Sequence, residues 1–312
     1  MRIKETIANY TALLAVLLAS TALARAAQNH SASGILIQVD AAYRSIVVSC
    51  NVIPGYMDAM EMAFKVPASA SFNSLKPGQF VRFVIVKKGS DLYAESIQPG
   101  SGVNSEAEPM EAGGLSALSN ALNPDAIKVL LVGQSVPDFI LIDQTGKTIR
   151  LSQFKGKVVA LTFGYSRCPN PQYCFRLSNN LALVEKRFRM RAGSDLILLT
   201  IAIDPEHDHG RALALYANTW KANPSDWHFL TGPLPRIQHV AQMFGMNFWY
   251  SEGVLTHSLH TIIIDRNGRL AANLEGNRFT SQQLGDLIQS IMDRSQAKTG
   301  YGAYSGIDGD AE

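Results

Sequence analysis

The feature that most constrains the fold is a change in hydrophobic pattern near Val136. From there, apolar stretches typical of buried strands alternate with segments of helical spacing. This alternation predicts an α/β layer fold with parallel strand pairing. The predicted strands are Lys157–Tyr165, Asp195–Ile203 and Leu259–Asp265, and the predicted helices are Asn179–Met190, Arg211–Thr219 and Ser281–Ile291.

The preceding part of the chain has a different pattern. Residues 33–98 contain short stretches rich in β-branched residues, separated by turn signals such as Pro54-Gly55. Five short strands punctuated in this way predict a small OB-like β-barrel. Residues 99–132 are rich in Gly, Ser and Glu and predict a linker, and residues 298–312 predict a flexible tail.

The N-terminus predicts export. Arg2 and Lys4 precede an apolar run, and Ala24-Arg25-Ala26 fits a signal-peptidase site, so residues 1–26 form a predicted signal peptide. The alternative is an uncleaved anchor, which would be the chain's contact with the membrane. Cleavage would change the net charge from +2 to 0, because it removes three basic residues and one acidic residue. The mature chain therefore has no charge excess that would attract nucleic acid. Because the N-terminus predicts export, we expect the protein in the periplasm.

The three cysteines are Cys50, Cys168 and Cys174. An odd number in an oxidising compartment leaves at least one thiol free, metal-bound or paired with another molecule. Cys168 and Cys174 lie between a predicted strand and a predicted helix, where the helix N-terminus favours thiolate. Thiolates attack disulfides and bind soft metals such as Cu(I). The C-x5-C spacing differs from the C-x-x-C of thioredoxin-type centres, and a plain structural disulfide is the alternative.

The segment FGYSRCPNPQYCFRLSNNL resembles the SCO/SenC family of copper chaperones for cytochrome oxidase assembly. WHFLTG, the Asp204-Pro-Glu turn and the segment around His257 extend the resemblance over residues 133–293. It implies a thioredoxin-like domain that holds Cu(I) or Cu(II) through Cys168, Cys174 and His257. The chain departs from the family's usual C-x-x-x-C motif, which puts the ligand geometry in question.

Four polar residues near these motifs have more ordinary interpretations. Asp204 either contacts the site through its turn or only shapes that turn. His207 and His209 are expected in a solvated loop, and His260 in the core or behind the ligands.

Residues 33–98 resemble the CusF-like periplasmic copper-binding domains. Met60 and Met62 match the family's M-x-M ligands, and Cys50 stands where the family has histidine. The resemblance implies a Cu(I) site formed by Cys50, Met60 and Met62. The alternatives are methionines on the core face of a strand and a free buried Cys50.

The leading hypothesis is a periplasmic copper metallochaperone rather than an enzyme. It would receive copper from a donor protein and deliver it to cytochrome c oxidase, at the CuA site, or to another cuproprotein. One alternative is a thiol-disulfide oxidoreductase in which Cys168 and Cys174 are the redox-active pair. Another is copper buffering for tolerance, in which the first domain dominates.

Overall fold

The structure is a computed structural model that describes residues 29–72, 74–100, 128–251 and 254–300. The predicted signal segment and most of the predicted linker lie outside these residues. Within the described part, no helix is long and apolar enough to cross a lipid bilayer.

The first domain is a closed five-stranded barrel with strand order β1-β2-β3-β5-β4. Its strands are β1 (His30–Asp40), β2 (Ser45–Cys50), β3 (Met60–Lys65), β4 (Phe80–Lys88) and β5 (Asp91–Pro99). The barrel prediction is confirmed. The first strand starts before residue 33 and the last strand ends after residue 98, so the barrel extends slightly beyond the predicted range. The interior is filled by apolar residues from alternate positions, which include Leu36, Val48, Phe64, Val81 and Ile85.

The second domain is built on a seven-stranded mixed sheet with the order β14-β13-β8-β9-β10-β6-β7. Strands β8, β9 and β10 are parallel neighbours, as the alternating pattern predicts. The sheet strands are β6 (Ile140–Asp143), β7 (Thr148–Arg150), β8 (Val158–Gly164), β9 (Leu196–Ala202), β10 (Trp227–Thr231), β13 (His260–Ile264) and β14 (Leu270–Glu275). A separate hairpin is formed by β11 (Phe248–Ser251) and β12 (Val254–His257).

Helices cover both faces of this sheet and give the predicted thioredoxin-like α/β architecture. They are α1 (Arg176–Arg187), α2 (Gly210–Thr219), α3 (Leu234–Met243) and α4 (Ser281–Gly300). Leu181 of α1, Leu213 of α2 and Leu287 of α4 share one core with the sheet. Ile237 of α3 belongs to the core on the opposite face. Strands β8 and β9 are buried throughout because both faces are covered.

Two predicted boundaries differ from the structure. Helix α4 continues beyond Ile291 to Gly300, so the predicted tail at 298–312 begins within a helix. Residues 128–132, assigned to the linker, are anchored to the second domain, since the Leu130 N–H donates to the Met243 carbonyl at 2.9 Å.

The barrel packs directly against the second domain. Alternate residues of β1 point to opposite sides, so Leu36 lies inside the barrel while Ile35 and Ile37 join the core formed with β14 and α4. Gly78 has a φ of +86°, and a Cβ there would lie 2.8 Å from the Ala272 side chain. Glycine at this turn therefore permits both the left-handed backbone and the close approach of the two domains.

Candidate metal centre

The loop that carries the two neighbouring cysteines follows strand β8. Cys168 lies in the loop itself, and Cys174 lies in a turn of π-helix at Pro171–Phe175 that leads into α1. Asn170 starts this turn, because its side-chain oxygen accepts a hydrogen bond from the Gln172 N–H at 2.9 Å. The long C-x5-C loop is thus accommodated by a wide helical turn, a feature often found at functional sites.

Cys174 and His257 are in direct contact. Their Sγ and Nε2 atoms are 3.5 Å apart, and the two residues are only 2% and 3% exposed. Nδ1 of His257 lies 2.9 Å from the Ser258 carbonyl oxygen, to which it donates. In the neutral ring this leaves a lone pair on Nε2, directed at Cys174.

This spacing fits two ligands of one metal ion. A metal–sulfur bond of about 2.3 Å and a metal–nitrogen bond of about 2.0 Å, at an ordinary angle, separate the ligand atoms by about 3.6 Å. Thiolate with imidazole is a donor set that suits copper. The distance between Cys174 and His257 therefore supports the prediction that both are ligands of one copper ion.

Cys168 lies beside this pair and is partly exposed. Its Sγ is 3.7 Å from the Asn170 carbonyl oxygen. Cys174 holds the pKa of Cys168 well below its usual range, and His257 acts in the same direction against the effect of burial. Cys168 in turn raises the pKa of Cys174, and burial adds to that rise. The thiol pair thus carries one negative charge on the more exposed sulfur.

All three cysteines are free thiols. Among the described residues, no three His, Cys, Asp or Glu side chains converge in the arrangement of a formed metal site. Cys168 interacts with both Cys174 and His257. Two ligands are therefore preorganised and the third is adjacent.

Tyr165 packs against the histidine. The two rings meet edge to face with centroids 5.9 Å apart, and the Tyr165 hydroxyl donates to the Leu255 carbonyl at 3.0 Å. This bond ties the end of β8 to strand β12, which carries His257.

Asp204 supports the cysteine loop from a second side. Its buried carboxylate pairs with Arg167, which precedes Cys168, at 2.9 Å. The other carboxylate oxygen lies 2.9 Å from Nδ1 of His207. Asp204 therefore contacts the cysteine loop through Arg167. His209 lies in the exposed part of that turn, and buried His260 contacts Asn273 at 2.9 Å.

Asn277 holds the loop from a third side, and no sequence motif pointed to it. Its side-chain amide donates to the Gln172 carbonyl at 2.5 Å, and its own carbonyl accepts from Nε of Arg176 at 2.6 Å. Residues on both sides of Cys174 are thus fixed to the segment that precedes α4.

The barrel residues predicted as ligands share one face. Cys50 lies opposite Met60 and Val48 opposite Met62 in the β2–β3 register, and cross-strand partners point to the same side. Cys50 is 1% exposed, and burial raises the pKa of its thiol to about 12. Met60 is 47% exposed at the barrel's end and Met62 is partly buried. The ring of Tyr56, which lies between β2 and β3, stacks on His30 with ring centroids 3.7 Å apart.

Comparisons with known proteins agree with this two-part architecture. A family model described as SCO1/SenC matches residues 131–293, and one described as Copper binding periplasmic protein CusF matches residues 29–99.

Individual relatives match the second part of the chain. The SCO2-like protein RT0576 of Rickettsia typhi (strain ATCC VR-144 / Wilmington) is 26% identical over 140 residues, which are 42% of this chain and 65% of that protein. The mitochondrial SCO2 homolog of Bos taurus is 26% identical over 181 residues, or 54% of this chain and 63% of that protein. The alignments thus span less than two thirds of these relatives. The copper-bound structure of Arabidopsis thaliana ScoI covers 51% of this chain and 99% of its own, with 23% identity and a TM-score of 0.45.

Proposed function

Because the chain belongs to the SCO1/SenC family, whose model covers just over half of it, we propose that it is a periplasmic copper metallochaperone. It would hold copper through Cys168, Cys174 and His257 and deliver it to a cuproprotein such as the CuA-site subunit of cytochrome c oxidase. The match of the barrel to the copper-binding periplasmic CusF model confirms copper as the metal and supports an exported protein.

The observation that carries the proposal is the buried Cys174–His257 contact. The imidazole Nε2 faces the Cys174 sulfur at 3.5 Å, while Nδ1 is held by the Ser258 carbonyl. A protein that only exchanged thiols and disulfides would not need a nitrogen ligand in this position. Copper is cargo here, so a site with two buried donors and one accessible thiolate suits both retention and handover.

A Cu(I) titration tests this assignment. The reduced chain without its signal segment is titrated against a competing Cu(I) chelator, alongside His257→Ala and Cys168→Ser. Losing a direct ligand should weaken the site by more than the roughly 10–100-fold typical of outer-shell changes. His209→Ala is the matched control, since that imidazole is exposed. Unchanged affinity in His257→Ala would show that the three-ligand assignment is wrong.

A thiol-disulfide reductase is the second candidate, and the thiolate character of Cys168 favours it. Cys168 would attack a target disulfide and buried Cys174 would resolve the mixed disulfide, which reduces the target and oxidises the pair. Full reduction of a peptide disulfide by His257→Ala, together with loss of copper, would separate the two activities. A wild-type chain that reduces the target but binds no copper at this site would favour the reductase.

A further inference from the structure

The barrel is docked on the second domain by polar contacts next to its candidate ligands. The Ser49 hydroxyl donates to Asp286 at 2.7 Å, and Nε2 of Gln283 lies 3.0 Å from both the Ser49 carbonyl and the Asn51 side-chain oxygen. Ser49 and Asn51 are the immediate neighbours of Cys50. Ser49, Gln283 and Asp286 are all buried, so these bonds are shielded from water.

The same helix also contacts the strand of the methionines. Nε2 of Gln282 donates to the carbonyl of Ala59, which precedes Met60, at 3.3 Å. Asp286 pairs with Arg187 of α1 at 2.8 Å. The N-terminal turns of α4 therefore link the β2–β3 wall of the barrel to α1, the helix that begins next to Cys174.

The start of this segment reaches the other candidate site. Asn277 contacts Gln172 and Arg176 on either side of Cys174, while Gln283 contacts the neighbours of Cys50. Asn277 and Gln283 are six positions apart in the sequence, so their Cα atoms are at most about 22 Å apart even if the chain were extended. We define residues 277–283 as the bridging segment.

From these contacts we propose that the barrel is the copper donor to the Cys168/Cys174/His257 site of the same molecule, and that docking on the bridging segment makes the transfer intramolecular. The inference rests on the proposed metallochaperone function and identifies the donor. Cu(I) would leave Cys50 and the two methionines at the exposed end of the barrel, near Met60. The transfer changes no oxidation state. Cys50 gains one proton when it releases Cu(I), and the Cys168/Cys174 pair releases one proton when it binds Cu(I), so the protons balance.

Docking matters because it sets the effective concentration of the donor. Two sites confined within tens of ångströms experience one another at millimolar or higher concentration. Release of the barrel would leave only its covalent connection, and transfer would slow and become sensitive to competing copper acceptors in solution.

Quenched alkylation can follow the transfer in the full chain. Limiting Cu(I) is added to reduced protein, samples are alkylated at intervals, and protection of Cys168 is read by peptide mass spectrometry. We expect at least about tenfold slower protection in a Gln283→Ala/Asp286→Asn variant and in the barrel-ligand variant Cys50→Ser/Met60→Leu/Met62→Leu. Gln289→Ala is the control, since Gln289 lies on the same helix and its side-chain amide donates to Asp293 rather than to the barrel.

A second variant guards against incomplete release of the barrel. Ile37→Glu places a charge on the face of β1 that packs against the second domain, outside the barrel interior, and hydrogen exchange of β2 reports whether docking is lost. If Cys168 becomes protected at the wild-type rate in undocked Ile37→Glu, and both sites of that variant still bind copper, the inference is overturned. Absence of copper at Cys168 in the wild type at equilibrium would instead refute the proposed function.

Discussion

Replacing Asn277 tests whether the cysteine loop must be held in place to bind copper. Its side-chain amide donates to the Gln172 carbonyl, and Asn277 is 4% exposed. In Asn277→Ala this part-buried hydrogen bond is lost, which costs about 0.5–1.5 kcal/mol of unfolding free energy.

The effect on copper follows from the position of the contact. Asn277 touches no ligand but fixes a residue two positions before Cys174, so it acts on ligand orientation. Outer-shell changes typically lower metal affinity about 10–100-fold, and we expect the lower end, about tenfold, because the Arg176 contact uses the backbone carbonyl of residue 277 and survives.

Two measurements separate positioning from stability. Urea unfolding of the copper-free chain gives the change in stability, and chelator competition gives the Cu(I) affinity. Asn277→Asp keeps the side-chain volume but removes the donor, so it should lose at least as much affinity as Asn277→Ala. Asn218→Ala, at an exposed position of α2, is the control. Wild-type copper affinity in both Asn277 variants, despite lower stability, would refute the positioning role.

Three further predictions follow from the site and the barrel. Because the pKa of Cys168 is lowered to about 4, its alkylation by iodoacetamide in the metal-free chain should be nearly constant from pH 6 to 8. A rate that rises tenfold per pH unit would mean an ordinary thiol. Met62→Leu should weaken Cu(I) binding by the barrel while changing the unfolding free energy by less than about 1.5 kcal/mol; equal affinity would mark Met62 as a core residue only. Asp204→Asn removes the charge that anchors Arg167, and should lower stability in urea by about 1–3 kcal/mol. Stability equal to wild type would show that the pair does not hold the loop.

The architecture was accessible from sequence because it depends on local periodicity. The local pattern predicts a strand, a loop and a helix in that order: an apolar stretch at Lys157–Tyr165 is followed by a cysteine loop with two prolines and then by helical spacing. The place of His257 came from family resemblance alone, since nothing in its own neighbourhood predicts contact with a cysteine 83 positions earlier.

The docking of the barrel was not predicted, although one signal was present. A barrel strand with a solvated outer face alternates apolar and polar residues, whereas Ile35-Leu36-Ile37 is apolar on both sides. That run indicates two buried faces but does not identify the second partner. Asn277 gave no signal, because a single asparagine after a glycine is typical of any surface turn.

Strand β1 has a consequence for how the molecule unfolds. Its two faces complete two different hydrophobic cores, so neither core can lose this strand without exposing apolar surface in the other. We therefore expect the two domains to melt in one cooperative transition rather than as independent units. Excising the second domain by itself would uncover the apolar surface around Ala272 and Leu274, which makes that fragment prone to aggregation.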